Sequence, residues 1–127
     1  FLPFDHLNLL NMLFKKGKTT GIDQRHFFRE TVFAGLRWEL DSNPKSSHLE
    51  RASATFKIEI DGKTEGTFRL TITHNTKTNT RSYEQKNSMT SISWGKAKKI
   101  IARDDLIGKS VSLYKTNRVD RFVLRIQ

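Results

Sequence analysis

The chain has 127 residues, of which 35% are hydrophobic and nine are Phe, a composition typical of one globular domain and not of a disordered tail. The absence of cysteine excludes disulfide scaffolds and thiolate metal sites, and no apolar run approaches the ~18 residues that a transmembrane helix needs. With 23 Lys and Arg against 13 Asp and Glu, the net charge is +10, and a domain this basic usually has a polyanionic partner. Because the chain begins at Phe1 and not at a methionine, we expect a single domain, residues 1–127, cut from a longer protein.

The first part of the chain gives mixed local patterns. Residues 4–14 space their apolar side chains in a way that leaves helix and buried strand both open. Residues 15–26 (KKGKTTGIDQRH) are polar, contain two Gly and four cations, and predict an exposed basic loop. Residues 31–40 (TVFAGLRWEL) predict a strand, and residues 41–51 (DSNPKSSHLER) predict a turn-rich connection with a short helical turn.

The middle of the chain predicts a β-hairpin. Residues 54–60 (ATFKIEI) and 67–74 (TFRLTITH) alternate apolar and polar side chains, as strands with one buried face do. Asp61-Gly62 between them is a strong signal for a tight hairpin turn. Aromatic residues at alternating strand positions are expected in the core, namely Phe56, Phe68 and Phe122.

The last third predicts a short helix and a second hairpin. Ser93 is predicted to cap a helix over residues 94–102, since Trp94, Ala97 and Ile101 would share one face of it. Gly108 marks a turn, after which residues 110–114 and 121–126 predict two paired strands. The elements add up to a mainly β domain with one or two short helices, arranged as a small mixed or closed sheet.

The polar stretch of residues 74–95 (HNTKTNTRSYEQKNSMTSISWG) lies between these parts and has almost no apolar anchor. Cationic side chains can donate to guanine, amides can pair with adenine and a carboxylate can accept from cytosine. The stretch supplies all three: Arg81 and Lys86, Gln85 and Asn87, and Glu84. Phosphate contacts position a protein on DNA without reading the base sequence. The side chains suited to such contacts are Lys77, Thr78, Thr80 and Ser82. Tyr83 can stack on a base or pack on the core, and the alternative for the whole stretch is a solvated polar hairpin.

Catalytic patterns do not fit. Phospholipase-D chemistry needs a His and a Lys two residues apart with an Asp further on, whereas His74 and Lys77 are three apart and no Asp follows through the next 26 positions. Asp61-Gly62-Lys63 has the letters of a metal-dependent nuclease strand, but it is better explained as a turn, and the other carboxylates are scattered. The four His, at positions 6, 26, 48 and 74, have no metal-ligand spacing. We therefore expect no catalysis, no metal and no cofactor in this chain.

From about Phe56 onward the chain resembles the B3-type DNA-binding pseudobarrel of plant transcription factors and of certain restriction endonucleases. The resemblance lies in the order DGK, strand, polar arm, SISWG, short helix, DDLIGKSVSLY and final strand. Plant versions have a similar Trp-Gly step before a helix and a similar leucine-glycine turn before a VSFY-like strand. The segment QKNSMTSISWGKAKKII is most similar to phospholipase-D-type restriction endonucleases of the NgoFVII class.

This resemblance implies a B3-like open pseudobarrel of about seven strands that grips double-stranded DNA in the major groove with two arms. It also implies a fused nuclease domain elsewhere in a bacterial cytoplasmic parent protein, and no membrane. The C-terminal arm would be Asn75–Ser88, with Asn75, Lys77, Asn79, Arg81, Tyr83, Glu84, Gln85, Lys86 and Asn87 as DNA-binding residues. The N-terminal arm would be residues 15–26, with Lys15, Lys16, Lys18, Thr20, Gln24 and Arg25.

Two other functions stay open at this point. The aromatic residues could form a stacking platform, which would make the domain a single-stranded DNA or RNA binder. The polar arm could also be a protein-interaction module that holds an acidic partner. A basic run at residues 96–103 has Lys96, Lys99 and Arg103 on one helical face, where they could contact phosphates beside the arm or simply be solvated.

Overall fold

The computed structural model describes Leu2–Pro3, Asp23 and residues 25–127. The pattern over residues 4–14 and most of the predicted N-terminal arm lie outside the described residues. The predicted site residues that fall there are Lys15, Lys16, Lys18, Thr20 and Gln24.

The described part is mainly β and forms a curled half-barrel. Its seven strands are β1 (Leu2–Pro3), β2 (Glu39–Leu40), β3 (Leu49–Ile60), β4 (Lys63–Asn75), β5 (Thr90–Ser93), β6 (Val111–Lys115) and β7 (Arg121–Ile126). They lie in the order β1-β6-β7-β3-β4-β5, and β2 pairs with the start of β3. The β3–β7 pair is parallel and the other pairs are antiparallel. Because β1 and β2 have two residues each, the curled body consists of β3 to β7, and the predicted mainly β, open barrel-like architecture is confirmed.

The predicted hairpin forms β3 and β4. Strict alternation along β3 buries Phe56, Ile58 and Ile60 completely or nearly so, because every second side chain of a strand points to the same face. Asp61 and Gly62 both have positive φ angles, 49° and 83°, which is the conformation of the two central residues of a type I′ turn. The letters Asp61-Gly62-Lys63 are therefore a turn, as expected.

Three Phe residues that are distant in sequence meet in the centre of the core. The rings of Phe56 and Phe122 stack with centroids 5.5 Å apart, and Phe33 meets Phe122 edge to face at 5.1 Å. Phe68 is half-buried and packs against the same cluster. The core positions predicted for Phe56 and Phe122 are thus confirmed, whereas Phe68 lies at the edge of the core.

The predicted strand over residues 31–40 is wrong for most of its length. Phe28–Val32 forms a π-helical turn that the Phe33 amide closes by donating to the Phe28 carbonyl at 2.7 Å, and only Glu39–Leu40 is a strand. The buried side chains here are Phe28, Val32, Phe33 and Leu36. Their spacing has helical periodicity, which places them together on the side of a turn that faces the sheet.

The helix predicted over residues 94–102 exists, but Ser93 does not cap it. Ser93 ends β5, where it pairs with Thr71, and the helical turns that follow have no side-chain cap. They are a 3-10 turn, Gly95–Ala97, continued by the helix Lys98–Ile101. Two further 3-10 turns are Pro44–Ser46 and Asp104–Leu106. The described residues therefore contain more short helical segments than the one or two that the sequence predicted. The second hairpin, β6 and β7, is confirmed.

Candidate nucleic-acid interface

The polar stretch singled out in the sequence joins β4 to β5 and projects from one end of that hairpin. We call residues 75–88 the arm. Its base is anchored on both sides: the Asn75 amide donates to the Met89 carbonyl at 2.9 Å, and the Thr76 hydroxyl donates to the His48 carbonyl at 2.7 Å. His74 Nδ1 lies 2.8 Å from Thr90 Oγ1 just below this point. The arm therefore begins and ends on paired strands although its own side chains add little to the core.

The arm contains a short helix that the sequence did not reveal. Helix α1, Arg81–Glu84, begins after Thr80, whose hydroxyl accepts a hydrogen bond from the Tyr83 amide at 3.2 Å. It ends in a Schellman motif, in which the Lys86 amide donates to the Tyr83 carbonyl and the Asn87 amide to the Ser82 carbonyl, each at 3.0 Å. Thr80, a typical capping residue, was the sequence signal for this helix, but the residues after it show no apolar helical face.

Lys86 adopts a left-handed backbone conformation with φ of 60°. This position of a Schellman motif is usually occupied by Gly, because a Cβ there costs roughly 1–2 kcal/mol. The lysine side chain is exposed and makes no hydrogen bond or ion pair with any described residue. Backbone strain of this kind is common at functional sites, where a side chain is held in place for a purpose other than stability.

The predicted base-reading side chains are brought together on this helical turn. Arg81, Glu84 and Gln85 lie three and four positions apart, so they are neighbours on a helix surface. All three are exposed, and their side chains make no hydrogen bond or ion pair with the described residues. Asn87 is half-buried beside them. Their donors and acceptors are thus available to a ligand.

Other predicted arm residues are used differently. Lys77 and Asn79 are exposed, as expected of ligand-contacting positions. The side-chain oxygen of Asn75 accepts a hydrogen bond from the Lys77 amide at 3.0 Å, so it shapes the start of the arm. Tyr83 is half-buried and contacts Arg25, which is the one predicted DNA-binding residue of the N-terminal arm that the structure describes.

Positive charge is concentrated in the part of the sequence that contains the arm. Residues 66–103 contain eight of the 23 Lys and Arg but one of the 13 Asp and Glu, and so carry +7 of the net charge of +10. Six of these cations are exposed and form no ion pair with a described residue: Lys77, Arg81, Lys86, Lys96, Lys98 and Lys99. Elsewhere in the described part of the chain, some cations are neutralised by ion pairs, such as Arg29–Glu50 and Arg125–Glu59.

The basic run after β5 is confirmed as exposed at Lys96 and Lys99, but Arg103 does not belong with them. Its guanidinium donates to Asp105 at 2.7 Å and to Glu65 at 3.3 Å, and the Asp105 carboxylate raises the pKa of Arg103 above its usual value. Lys98, which was not singled out, is exposed instead. The Arg-x-Asp spacing was the sequence signal that this arginine has a local partner.

Two further kinds of site find no support in the described part of the chain. No group of three or more metal-ligating side chains occurs among the described residues. No aromatic side chain there is fully exposed; each is buried or half-buried, and Trp38 donates its Nε1 to the Phe33 carbonyl at 2.9 Å. Within the same residues, no helix has the length and apolar character to cross a membrane.

A cavity of about 740 Å³ lies on the solvent face of β3 and β4, and no arm residue lines it. The charged side chains in its wall pair with each other: Arg37 with Glu39, Arg51 with Asp41, and Arg69 with Asp120. It is therefore close to neutral, unlike the arm.

Comparisons with known proteins do not identify the chain. No protein-family model, no curated protein and no solved structure matches it. Its function therefore has to be inferred from its own residues and their arrangement.

Proposed function

We propose that this domain binds double-stranded DNA sequence-specifically, with the arm in the major groove and without catalysis of its own. The observation that carries the proposal is the exposed group Arg81, Gln85 and Lys86, held unpaired on a capped turn within the most basic part of the chain. The resemblance of the second half of the chain to B3-type domains further suggests the target-recognition domain of a bacterial, cytoplasmic restriction endonuclease with a separate nuclease domain.

The geometry of the arm suits base reading. The major groove is wide enough to admit a helix or a two-stranded β element, and the arm is a helical turn carried on a β-hairpin. An arginine can pair bidentately with guanine and a glutamine with adenine, while Glu84 can accept from cytosine. A ligand that offered only phosphates would have no use for the carboxylate of Glu84.

The three lysines after β5 bind phosphates in this proposal. Strand β5, Thr90–Ser93, lies between the end of the arm and the turn that carries Lys96, and its four residues span about 13 Å at roughly 3.3 Å per residue. Cations of the arm, before β5, and the lysines after β5 can therefore contact one duplex at the same time. Replacing Lys96, Lys98 and Lys99 by Gln should weaken binding to all duplexes alike. The slope of log K against log salt concentration should become shallower by about 0.9 for each phosphate that the variant no longer neutralises.

The same observations disfavour the two other functions. A platform for single strands needs exposed aromatic rings, and the described residues offer none that is fully exposed. A clamp for an acidic protein would be weakened by the Glu84 carboxylate, which repels acidic side chains. Base-pair edges present both donors and acceptors, so they can use the amides and the carboxylate of the arm together.

The first experiment is selection from a random duplex library at about 150 mM salt, read out by sequencing. One enriched motif of a few base pairs is expected. Retention without a motif would reduce the interaction to charge alone, and no retention would refute nucleic-acid binding. Arg118→Ala, which removes an exposed cation from the β6–β7 loop, is the matched control for charge.

A further inference from the structure

Tyr83 is contacted from a part of the chain almost sixty positions earlier. The guanidinium of Arg25 lies 4.5 Å above the centroid of its ring, and Arg25 Nη1 donates to its carbonyl oxygen at 3.4 Å. Nε2 of His26 lies 3.1 Å from its hydroxyl oxygen, and the His26 ring meets the tyrosine ring edge to face. Ring, hydroxyl and backbone of one residue are thus all held by two neighbouring side chains.

These two side chains are themselves fixed. Asp23 accepts hydrogen bonds from Arg25 Nε at 2.9 Å and from Arg25 Nη2 at 3.0 Å, a bidentate pair. On the other side, His26 Nδ1 lies 3.7 Å from the Glu30 carboxylate. The charge of Arg25 is therefore largely neutralised before any ligand arrives, which makes it a poor phosphate contact and a good orienting group for Tyr83.

The arm needs such support because α1 has only four residues, far below the length at which a helix is stable by itself. Apart from Ser88, whose hydroxyl donates to the nearby Thr90 carbonyl at 2.9 Å, Tyr83 is the one side chain of residues 77–88 that forms a hydrogen bond or ring contact with a described residue outside the arm. Residues two apart on a helix point to opposite sides. Tyr83 facing inward therefore turns Arg81 and Gln85 outward.

We infer that Tyr83 is a positioning residue that clasps the arm to Arg25 and His26 and thereby sets the direction of the reading side chains. Its effect on DNA selectivity rests on the proposed function, whereas the clasp itself is a property of the free protein. Arg25 and Tyr83 then act on DNA through the orientation of the arm and not by direct contact, in contrast to what the sequence suggested for both residues.

Hydrogen exchange of the free protein tests the clasp without DNA. Tyr83→Ala should speed amide exchange in residues 81–87 about tenfold and leave β3 and β4 unchanged. Tyr83→Phe, which loses only the bond to His26, should lie between this variant and the wild type. Arg25→Gln breaks the clasp from the other side, so that failure of one variant to fold leaves the test intact. Unchanged exchange in all three variants would overturn the clasp.

Binding to the selected duplex and to a scrambled duplex tests the consequence. Tyr83→Ala should reduce the preference for the selected duplex about tenfold while leaving the salt dependence unchanged, because no phosphate-contacting cation is removed. Arg81→Ala should reduce the preference with normal exchange. Faster exchange with full preference would refute the positioning role, and a wild type that selects no motif would refute the proposed function while the exchange result still decides the clasp.

Discussion

The two hairpins that share β4 are built on opposite principles. The β3–β4 hairpin closes through a two-residue turn and buries one face of each strand, so its side chains contribute stability. The β4–β5 hairpin closes through the arm, whose reading side chains form no hydrogen bond or ion pair with a described residue and contribute almost nothing to the core. The same strand thus supports a region selected for packing and a region whose exposed groups are best explained by a ligand.

The largest expected effect tests the packing side of this contrast. Phe56→Ala should lower the free energy of unfolding by about 3–5 kcal/mol, because Phe56 is completely buried between Phe33 and Phe122. Urea denaturation measures the change. Gln85→Ala on the arm is the control and should change the free energy of unfolding by less than about 0.5 kcal/mol. Similar losses in both variants would remove the contrast.

The next largest effect tests whether the exposed side chains of the arm bind DNA. Arg81→Ala should cost about 1–3 kcal/mol in binding to the selected duplex and little in stability, because its guanidinium has no partner within the described protein. Titration of selected and scrambled duplexes measures the difference. Equal losses on both duplexes would make Arg81 a phosphate contact.

Substitutions of Lys86 should change both the stability of the domain and its binding to DNA. Lys86→Gly removes the Cβ from a left-handed residue and should raise the free energy of unfolding by about 1 kcal/mol while weakening DNA binding. Lys86→Ala removes the charge but keeps the strain, so it should bind DNA as weakly without the gain in stability. If the Gly variant is less stable than the wild type, the strain assigned to Lys86 is wrong.

The smallest effect concerns pH at the base of the arm. Burial lowers the pKa of His74 below its ordinary value of 6.5, so the unfolded chain binds its proton more readily than the folded one. Its contribution to stability is complete above about pH 6.5 and is lost as the pH falls through the lowered pKa. Urea midpoints between about pH 5 and pH 8 should fall less steeply toward acid in His74→Asn. An identical slope in both proteins would contradict this assignment.

Some of these features were predictable because they depend on neighbours in the chain. Alternation in residues 54–60 and 67–74 revealed two strands, and Asp61-Gly62 revealed their turn, since strand periodicity and turn chemistry are local. The segment at residues 31–40 was mistaken for a strand because its helical periodicity begins earlier, at Phe28. The exposed arm was visible in the sequence, but its helical turn was not, because Thr80 alone is a weak signal.

By itself, the sequence determined that this is a basic, mainly β domain with a polar segment between two strands, because charge and burial periodicity are sums over local residues. Only the tertiary structure decided that β7 lies parallel to β3, that Glu65 joins Asp105 as a partner of Arg103, and that Tyr83 is held by Arg25. Each of these depends on residues far apart in the chain meeting in space. No local pattern records such meetings, since many folds are compatible with the same alternation.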